Sequence, residues 1–447
     1  MDAVKKWKEN GRNLMFEMAT GTGKTRAAIG CIEDLLFNFN NVLIVISCPQ
    51  NTLSVQWKTE IEQIHIGEDI SLIADGTNHK WREELKLAIN KLNAGFYHGV
   101  IVYSTHTTSS SEDFLDIINN ISTKVKTFFV GDEAHGLGAK KLRKALILNY
   151  LYRLGLSATP QRWFDEDGTA HLYNYFGNDS YTFDIGEALA KINPNTGLTF
   201  LCQYVYKPKF VPLTEDELTK YIHLSNRITK LNQCSKSSDK YGDILEYLLF
   251  QRANIEKSAF NKYAMLGDTL DEIDDIKDTI IFVSPEQITT VMKMLGSKNI
   301  IASRFTQEEG TTPEEKYGNI SERDYIIKKF KEGVFSVLVA IKCLDEGIDI
   351  PSASRAIIMA SSTNPREYIQ RIGRIIRRSP GKSEATIYDF IIHPNLENIG
   401  NEELIGFETK IFNKEMTRVY EISKHAKNNI SVLNEISLHI GGKKHGN

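Results

Sequence analysis

The chain has 447 residues, a formal net charge of -3, and 41% hydrophobic and 25% charged residues, which suggests about three units at roughly 150 residues per domain. No run approaches the ~18 apolar residues of a membrane helix, and the polar start Met1-Asp-Ala-Val-Lys-Lys-Trp7 lacks the apolar core of a secretory signal; both point to a cytoplasmic protein with no membrane partner. The scattered Cys31, Cys48, Cys202, Cys234 and Cys343 show no paired spacing, which argues against a disulfide framework and a structural zinc site.

In chain order, apolar strands are expected at Leu14–Met18, Val42–Ile46, Val100–Tyr103, Thr127–Val130 and Leu151–Leu156. Helix-like stretches alternate with them at Lys24–Phe37, Thr52–Ile64, Trp81–Leu92 and Ala139–Leu148, which predicts βαβ units and a mainly parallel sheet. Residues 161–213 have no long period. Thr214-Glu215-Asp216-Glu217 then reads as a capping box opening an α-helical insert that ends at the acidic stretch Asp271–Asp278. Alternation resumes with strands Thr279–Val283, Ser336–Ala340, Ala356–Ala360 and Ala385–Phe390, helix Glu322–Phe330 and a basic helix Pro365–Arg378. The end of the chain reads as helical. Expected boundaries are 1–213, 214–275, 276–395 and 396–447.

Leu14 to Thr25 reads as a strand, a tight glycine turn and a helix start. In Thr20-Gly21-Thr22-Gly23, the glycines let backbone N–H groups wrap a phosphate, and the helix start adds positive potential. Lys24 is placed to reach the outer phosphates and Thr25 to ligate Mg²⁺ through its hydroxyl. The strict pattern asks for glycine at position 18, where Met18 stands. Further on, Phe128-Phe-Val-Gly-Asp-Glu-Ala-His135 is an apolar strand ending in paired carboxylates. Asp132 suits a metal ligand, and Glu133 suits a group that orients or deprotonates water.

Here a resemblance becomes specific. Asp132-Glu-Ala-His135 is the DEAH form of Walker B, and Leu156-Ser-Ala-Thr-Pro160 resembles motif III of superfamily 2 helicases. Val337 to Pro351 resembles motif V, and Tyr368-Ile-Gln-Arg-Ile-Gly-Arg-Ile-Ile-Arg377 resembles motif VI. Over roughly residues 14–395 the chain resembles the branch that holds restriction-enzyme motor subunits, XPB and phage recombination helicases. That resemblance implies an α/β fold of two RecA-like domains with mainly parallel sheets, an α-helical insert between them and a helical C-terminal tail. It implies ATP and Mg²⁺, with hydrolysis at the interface of the two domains. It also implies that Gln370 positions water, that Arg374 and Arg377 are arginine fingers, and that Gly347 and Asp349 contact the nucleotide. Ser157 and Thr159 would couple hydrolysis to strand binding. The segment that reads adenine in this family falls before Met1.

The family's nucleic-acid track predicts contacts at Pro49 and Gln50, at Ser104 and Thr105, and at Ser284, each near a strand's C-terminal end. Such turns grip phosphates and carry no sequence information, so DNA binding without sequence specificity is expected. The near-neutral net charge confines any such surface to a local track. The basic run Lys140, Lys141, Arg143 and Lys144 reads as a solvated helix face, and Trp163, Tyr173, Tyr175, Phe176 and Tyr181 as core packing. Three readings stand side by side. One is a DNA translocase or helicase in repair, recombination, restriction or phage defence. Another is an RNA helicase. The third is a regulatory or sensing ATPase subunit that gates a partner nuclease; a partner subunit such as a nuclease, or an N-terminal domain, is an expected companion.

Overall fold

The computed structural model describes residues 2–162, 165–235, 242–306, 308–310, 312–341, 353–360, 371–393, 412–413, 415–416 and 418–441. The chain divides into two compact units, Met1–Phe200 and Leu201–Asn447.

The first unit runs α1 (Asp2–Glu9), β1 (Asn13–Met18), α2 (Lys24–Asn38), β2 (Val42–Cys48), α3 (Asn51–Ile64), β3 (Ile70–Ala74), α4 (Trp81–Asn93) and β4 (Gly99–Thr105). It continues with α5 (His106–Ser109), α6 (Glu112–Ile118), β5 (Lys126–Asp132), β6 (Tyr152–Ser157), α7 (Glu166–Phe176), β7 (Ser180–Phe183) and α8 (Ile185–Ala190). Its seven strands lie in the order β3-β4-β2-β5-β6-β1-β7 with every pairing parallel. Helices cover both faces of such a sheet, so its central strands read as unbroken apolar runs: β2 and β4 are buried at every position. Packed on one face is a core that includes Trp81, Leu85, Phe114, Phe129, Tyr175 and Phe176. Tyr175 and Phe176 therefore fill the core as the sequence suggested, with Phe129 ring to ring against Phe176 at 6.3 Å. Trp163 lies outside the described residues.

The expected helix Ala139–Leu148 is absent; residues Leu142–Ala145 form a short 3-10 turn instead. Its inward residues, Ala145, Leu146 and Tyr150, follow the surface of the core rather than a 3.6-residue period. Arg143 is spent locally, donating from Nε to the Gly138 carbonyl at 2.7 Å and pairing with Asp167.

In the second unit the elements are β8 (Gln203–Val211), α9 (Glu215–Ser235), α10 (Gly242–Ser258), α11 (Asn261–Asp271), β9 (Thr279–Phe282), α12 (Ile288–Ser297) and β10 (Ala302–Phe305). A small hairpin of β11 (Pro313–Glu314) and β12 (Ile320–Ser321) leads to α13 (Glu322–Lys331), β13 (Val337–Ala340), β14 (Arg355–Ile358), β15 (Glu384–Ile392) and α14 (Asn429–Gly441). The six-stranded sheet has the order β10-β13-β9-β14-β15-β8, again parallel throughout. Thr214 and Glu217 form the reciprocal cap that opens α9: the Thr214 N–H donates to Glu217 Oε2 at 3.0 Å and the Glu217 N–H to Thr214 Oγ1 at 3.3 Å.

One boundary moves. The sequence reading left residues 203–211 with the first domain, but β8 pairs with β15 along its whole length, from Gln203 beside Glu384 to Val211 beside Ile392. It is an edge strand, which is where Pro208 is tolerated within a sheet.

Candidate nucleotide and nucleic-acid site

In a parallel sheet all strands point the same way, so their C-terminal ends share one edge, where α/β folds place ligands. In the first unit that edge gathers Met18, Cys48, Thr105, Asp132 and Ser157, the last residues of β1, β2, β4, β5 and β6.

Between β1 and α2 the chain turns through Ala19 to Gly23. Gly21 (φ 84°) and Gly23 (φ 94°) both lie in the left-handed region, where a side chain is strained. Met18 is not among the residues with positive φ, so the backbone makes no demand for glycine there. Its carbonyl accepts from Lys24 Nζ at 3.2 Å, which folds the lysine back over the turn. Thr22 braces the turn through its Oγ1 on the Ala19 carbonyl at 2.6 Å. Thr20 Oγ1 is buried with no hydrogen-bond partner among the described residues. Thr25 follows in the first turn of α2, half-buried.

Across the edge, Asp132 is buried and its carboxylate is fixed on both oxygens. Trp57 Nε1 donates to Oδ2 at 2.9 Å and the Glu133 N–H to Oδ1 at 3.0 Å. Burial, followed by the charge of Glu133, pushes the Asp132 carboxyl up to about 6, against the pull of Trp57 and the Lys24 ammonium. A carboxylate in that setting gains from a cation, since burial disfavours its charge. Glu133 has φ 46°, left-handed for a residue with a side chain. His135 then links two motifs: its Nδ1 stands 3.4 Å from Glu133 Oε2 and 3.3 Å from Ser157 Oγ. Ser157 Oγ in turn accepts the Thr159 N–H at 3.2 Å.

The nucleic-acid candidates differ in what they expose. Gln50 is exposed and Pro49 half-buried at the start of α3. Ser104 is fully buried with its hydroxyl toward the Ile46 carbonyl at 3.5 Å, and Thr105 Oγ1 caps α5 by accepting the Thr108 N–H at 3.2 Å. Outward at that turn stand Thr107 and Thr108 instead. Ser284, just past β9, is buried, and its N–H donates to Gln287 Oε1 at 2.9 Å.

In the second unit, Gly347, Asp349 and Gln370 lie outside the described residues. Residues 371–375 are helical, and the expected helix to Arg378 ends there: the Ile376 carbonyl accepts the Cys202 N–H at 2.8 Å and Arg377 bridges Leu201. Backbone pairing with the segment entering β8 replaces the last helical turn. Arg371 is buried, donating from Nη1 to the Ala360 carbonyl at 3.1 Å with its guanidinium 5.2 Å from the Phe282 ring centre. Arg374 and Arg377 are half-buried.

Sequence reasoning missed Trp57, which sits in no motif with a chemical signature and acquires its place through a bond to a residue 75 positions away.

Residues 1–162 match the family described as Type III restriction enzyme, res subunit, and residues 261–379 match the Helicase conserved C-terminal domain. The chain is 27% identical over 395 residues to the DNA 3'-5' translocase XPB2 of Sulfurisphaera tokodaii, covering 84% of this chain and 77% of that protein. It is 24% identical over 403 residues to Putative helicase 22 of Sulfolobus islandicus filamentous virus, covering 89% of this chain and 64% of that protein. The Hef helicase domain of Pyrococcus furiosus shares the fold, with TM-score 0.53 and 18% identity over 87% of this chain and 94% of that one. These matches and the two parallel α/β sheets support an ATP-hydrolysing superfamily 2 helicase or translocase related to restriction-enzyme motor subunits and XPB.

Proposed function

We propose that this chain is an ATP-driven translocase or helicase acting on DNA without sequence preference. The observation that carries the reading is the pairing of a left-handed Gly21/Gly23 turn with the buried Asp132 and half-buried Glu133 on one sheet edge. Thr20, Gly21, Thr22 and Gly23 hold the phosphates of ATP through backbone N–H groups, and Lys24 swings from the Met18 carbonyl to the outer phosphates. Asp132 and the Thr25 hydroxyl fit Mg²⁺, because a buried carboxylate with a raised pKa is stabilised by a cation. Mg²⁺ there supplies charge neutralisation to the phosphates.

Glu133 orients and deprotonates the attacking water, held in its strained backbone conformation by its neighbours. Ser157 and Thr159 couple this step to strand binding through His135. Arg374 and Arg377, with Gln370, Gly347 and Asp349, act on the nucleotide by the resemblance of their segments to motifs VI and V. Pro49, Gln50, Ser104, Thr105 and Ser284 mark strand-end turns on the nucleic-acid track. Ser104 contributes there through its backbone, since its side chain is buried.

DNA is favoured over RNA because the 27% identical relative is a DNA translocase. The family description as a restriction subunit supports a second reading, in which the ATPase gates a partner nuclease. The test is ATP turnover with double-stranded DNA, single-stranded DNA and RNA, alongside Lys24→Ala and Glu133→Gln. Losing the base is expected to lower turnover by roughly a hundredfold or more. Undiminished turnover in either variant would refute the site. Stimulation by RNA alone would refute DNA as the substrate, and stable co-purification with a nuclease would favour the second reading.

A further inference from the structure

At the C-terminal edge of the first sheet, β4, β2 and β5 are neighbours, and one side chain joins their ends. His106 follows β4 directly. Its Nδ1 lies 2.8 Å from the hydroxyl of Ser47 on β2, and that hydroxyl lies 2.7 Å from Ser109 Oγ on α5. All three side chains are buried. The opposite edge of the ring faces the turn that follows β5. A Cβ built on Gly136 would stand 3.2 Å from His106 Cδ2 and 3.5 Å from Nε2, close enough that the ring would have to give by a few tenths of an ångström, so the turn lies directly against the ring. The backbones of Asp132 and Glu133 face the same imidazole.

What rests on that ring is strained. A non-glycine residue at φ 46° is strained and persists only where its surroundings hold it. Glu133 is held on one side by His135 and Ser157. On the other side the prop is His106. The backbone of His106 also forms the start of α5, whose outward residues Thr107 and Thr108 occupy the strand-end turn. One residue therefore touches the turn that meets a ligand strand and the turn that carries Glu133.

We propose that His106 is a positioning residue that transmits occupancy of the Thr105–Thr108 turn to the backbone of Glu133. This rests on the reading of Glu133 as the group that handles water and of the strand-end turn as part of the DNA track. A phosphate gripped by Thr107 and Thr108 shifts α5. Ser109 and Ser47 fix the imidazole to α5 and β2, so the ring moves with that helix against Gly136 and Glu133. No proton transfer is needed; the ring acts by its volume and its hydrogen bond to Ser47.

The test uses the full chain with His106→Asn, which keeps a hydrogen-bonding group near Ser47 but removes the far edge of the ring. Three quantities are measured: turnover without DNA, turnover at saturating single-stranded DNA, and the DNA Kd by anisotropy. The ratio of stimulated to basal turnover is expected to fall about five- to tenfold while Kd changes less than about twofold, in the usual range of a coupling effect. Gly136→Ala pushes on the ring from the other side and leaves His106 and its hydrogen bonds in place. It is expected to lower the same ratio even if His106→Asn fails to fold. An unchanged ratio in folded Gly136→Ala overturns the proposal. So does an equal fall of basal and stimulated turnover, which marks a merely structural prop, or a weakened Kd with full stimulation at saturation, which marks a direct contact. Wild-type turnover indifferent to every nucleic acid would instead overturn the reading of the track itself, and that arm separates the two failures.

Discussion

Trp57 Nε1 donates to Asp132 Oδ2 at 2.9 Å, a bond between residues 75 apart in sequence that ties α3 to the end of β5. The indole occupies one carboxylate oxygen and fixes the plane of the group, so in the proposed site the direction in which Asp132 would meet Mg²⁺ is set from α3. Loss of such an outer partner commonly costs about 10- to 100-fold in metal affinity or activity. Trp57→Phe keeps most of the buried ring and removes the donor. The Mg²⁺ concentration that half-saturates ATP turnover is expected to rise about tenfold by that rule. A Mg²⁺ titration with an unchanged midpoint would show that the indole serves packing alone.

His135 stands between Glu133 and Ser157, at 3.4 Å and 3.3 Å. Ser157→Ala removes one end of this link, and with it the acceptor of the Thr159 N–H. Hydrolysis is expected to persist while movement along DNA falls at least about fivefold further than turnover does, the lower end of common coupling effects. Parallel ATPase and triplex-displacement assays measure the split. A proportional loss of both would place Ser157 in the hydrolytic step itself.

Much of the first sheet was legible because buried parallel strands print themselves as apolar runs. Val42–Ile46 and Thr127–Val130 fall inside observed β2 and β5, and the glycine turn follows β1 as its pattern implies. Edge elements were less legible: β3 and β7 are only partly buried, so their residues alternate weakly. No local signal could say which sheet residues 203–211 join, since that choice is made by β15 about 180 positions later in the chain. The same holds for Trp57, whose bond to Asp132 joins a helix and a strand end 75 positions apart. Met18 misled in the other direction, because a motif template asks for glycine where this backbone needs none.

Grip through backbone amides and small hydroxyls at strand ends reads phosphate rather than base. Binding of single-stranded DNA is therefore expected to weaken steeply with salt, with log K falling linearly in log salt at a slope near −0.7 per phosphate neutralised. Affinities for homopolymer and mixed-sequence strands should agree at each salt concentration. Anisotropy titrations between low and physiological salt measure both. A flat salt response or a strong preference for one sequence would contradict phosphate-led recognition.

Lys262 is buried in the second unit. Its Nζ donates to the Met359 carbonyl at 2.6 Å and to that of Lys257 at 3.4 Å. Burial lowers its pKa from 10.5 to about 8, opposed by Glu256, Asp389 and Glu415, with Arg418 adding to the lowering. Between pH 8 and 10.5 the unfolded chain binds a proton at this lysine that the native chain has released. Stability therefore rises with pH across that window, and the contribution is lost as pH falls through 8. The whole effect is at most about 3 kcal/mol at 1.36 kcal/mol per unit. Lys262→Met removes the titration while the surrounding carboxylates and buried tyrosines stay in both proteins. The urea midpoint of wild type is expected to gain on that of the variant from pH 7.5 to pH 9.5, in the window set by the pKa near 8. A constant difference across that range would mean that Lys262 keeps its ordinary pKa, and that the carboxylates around it offset its burial.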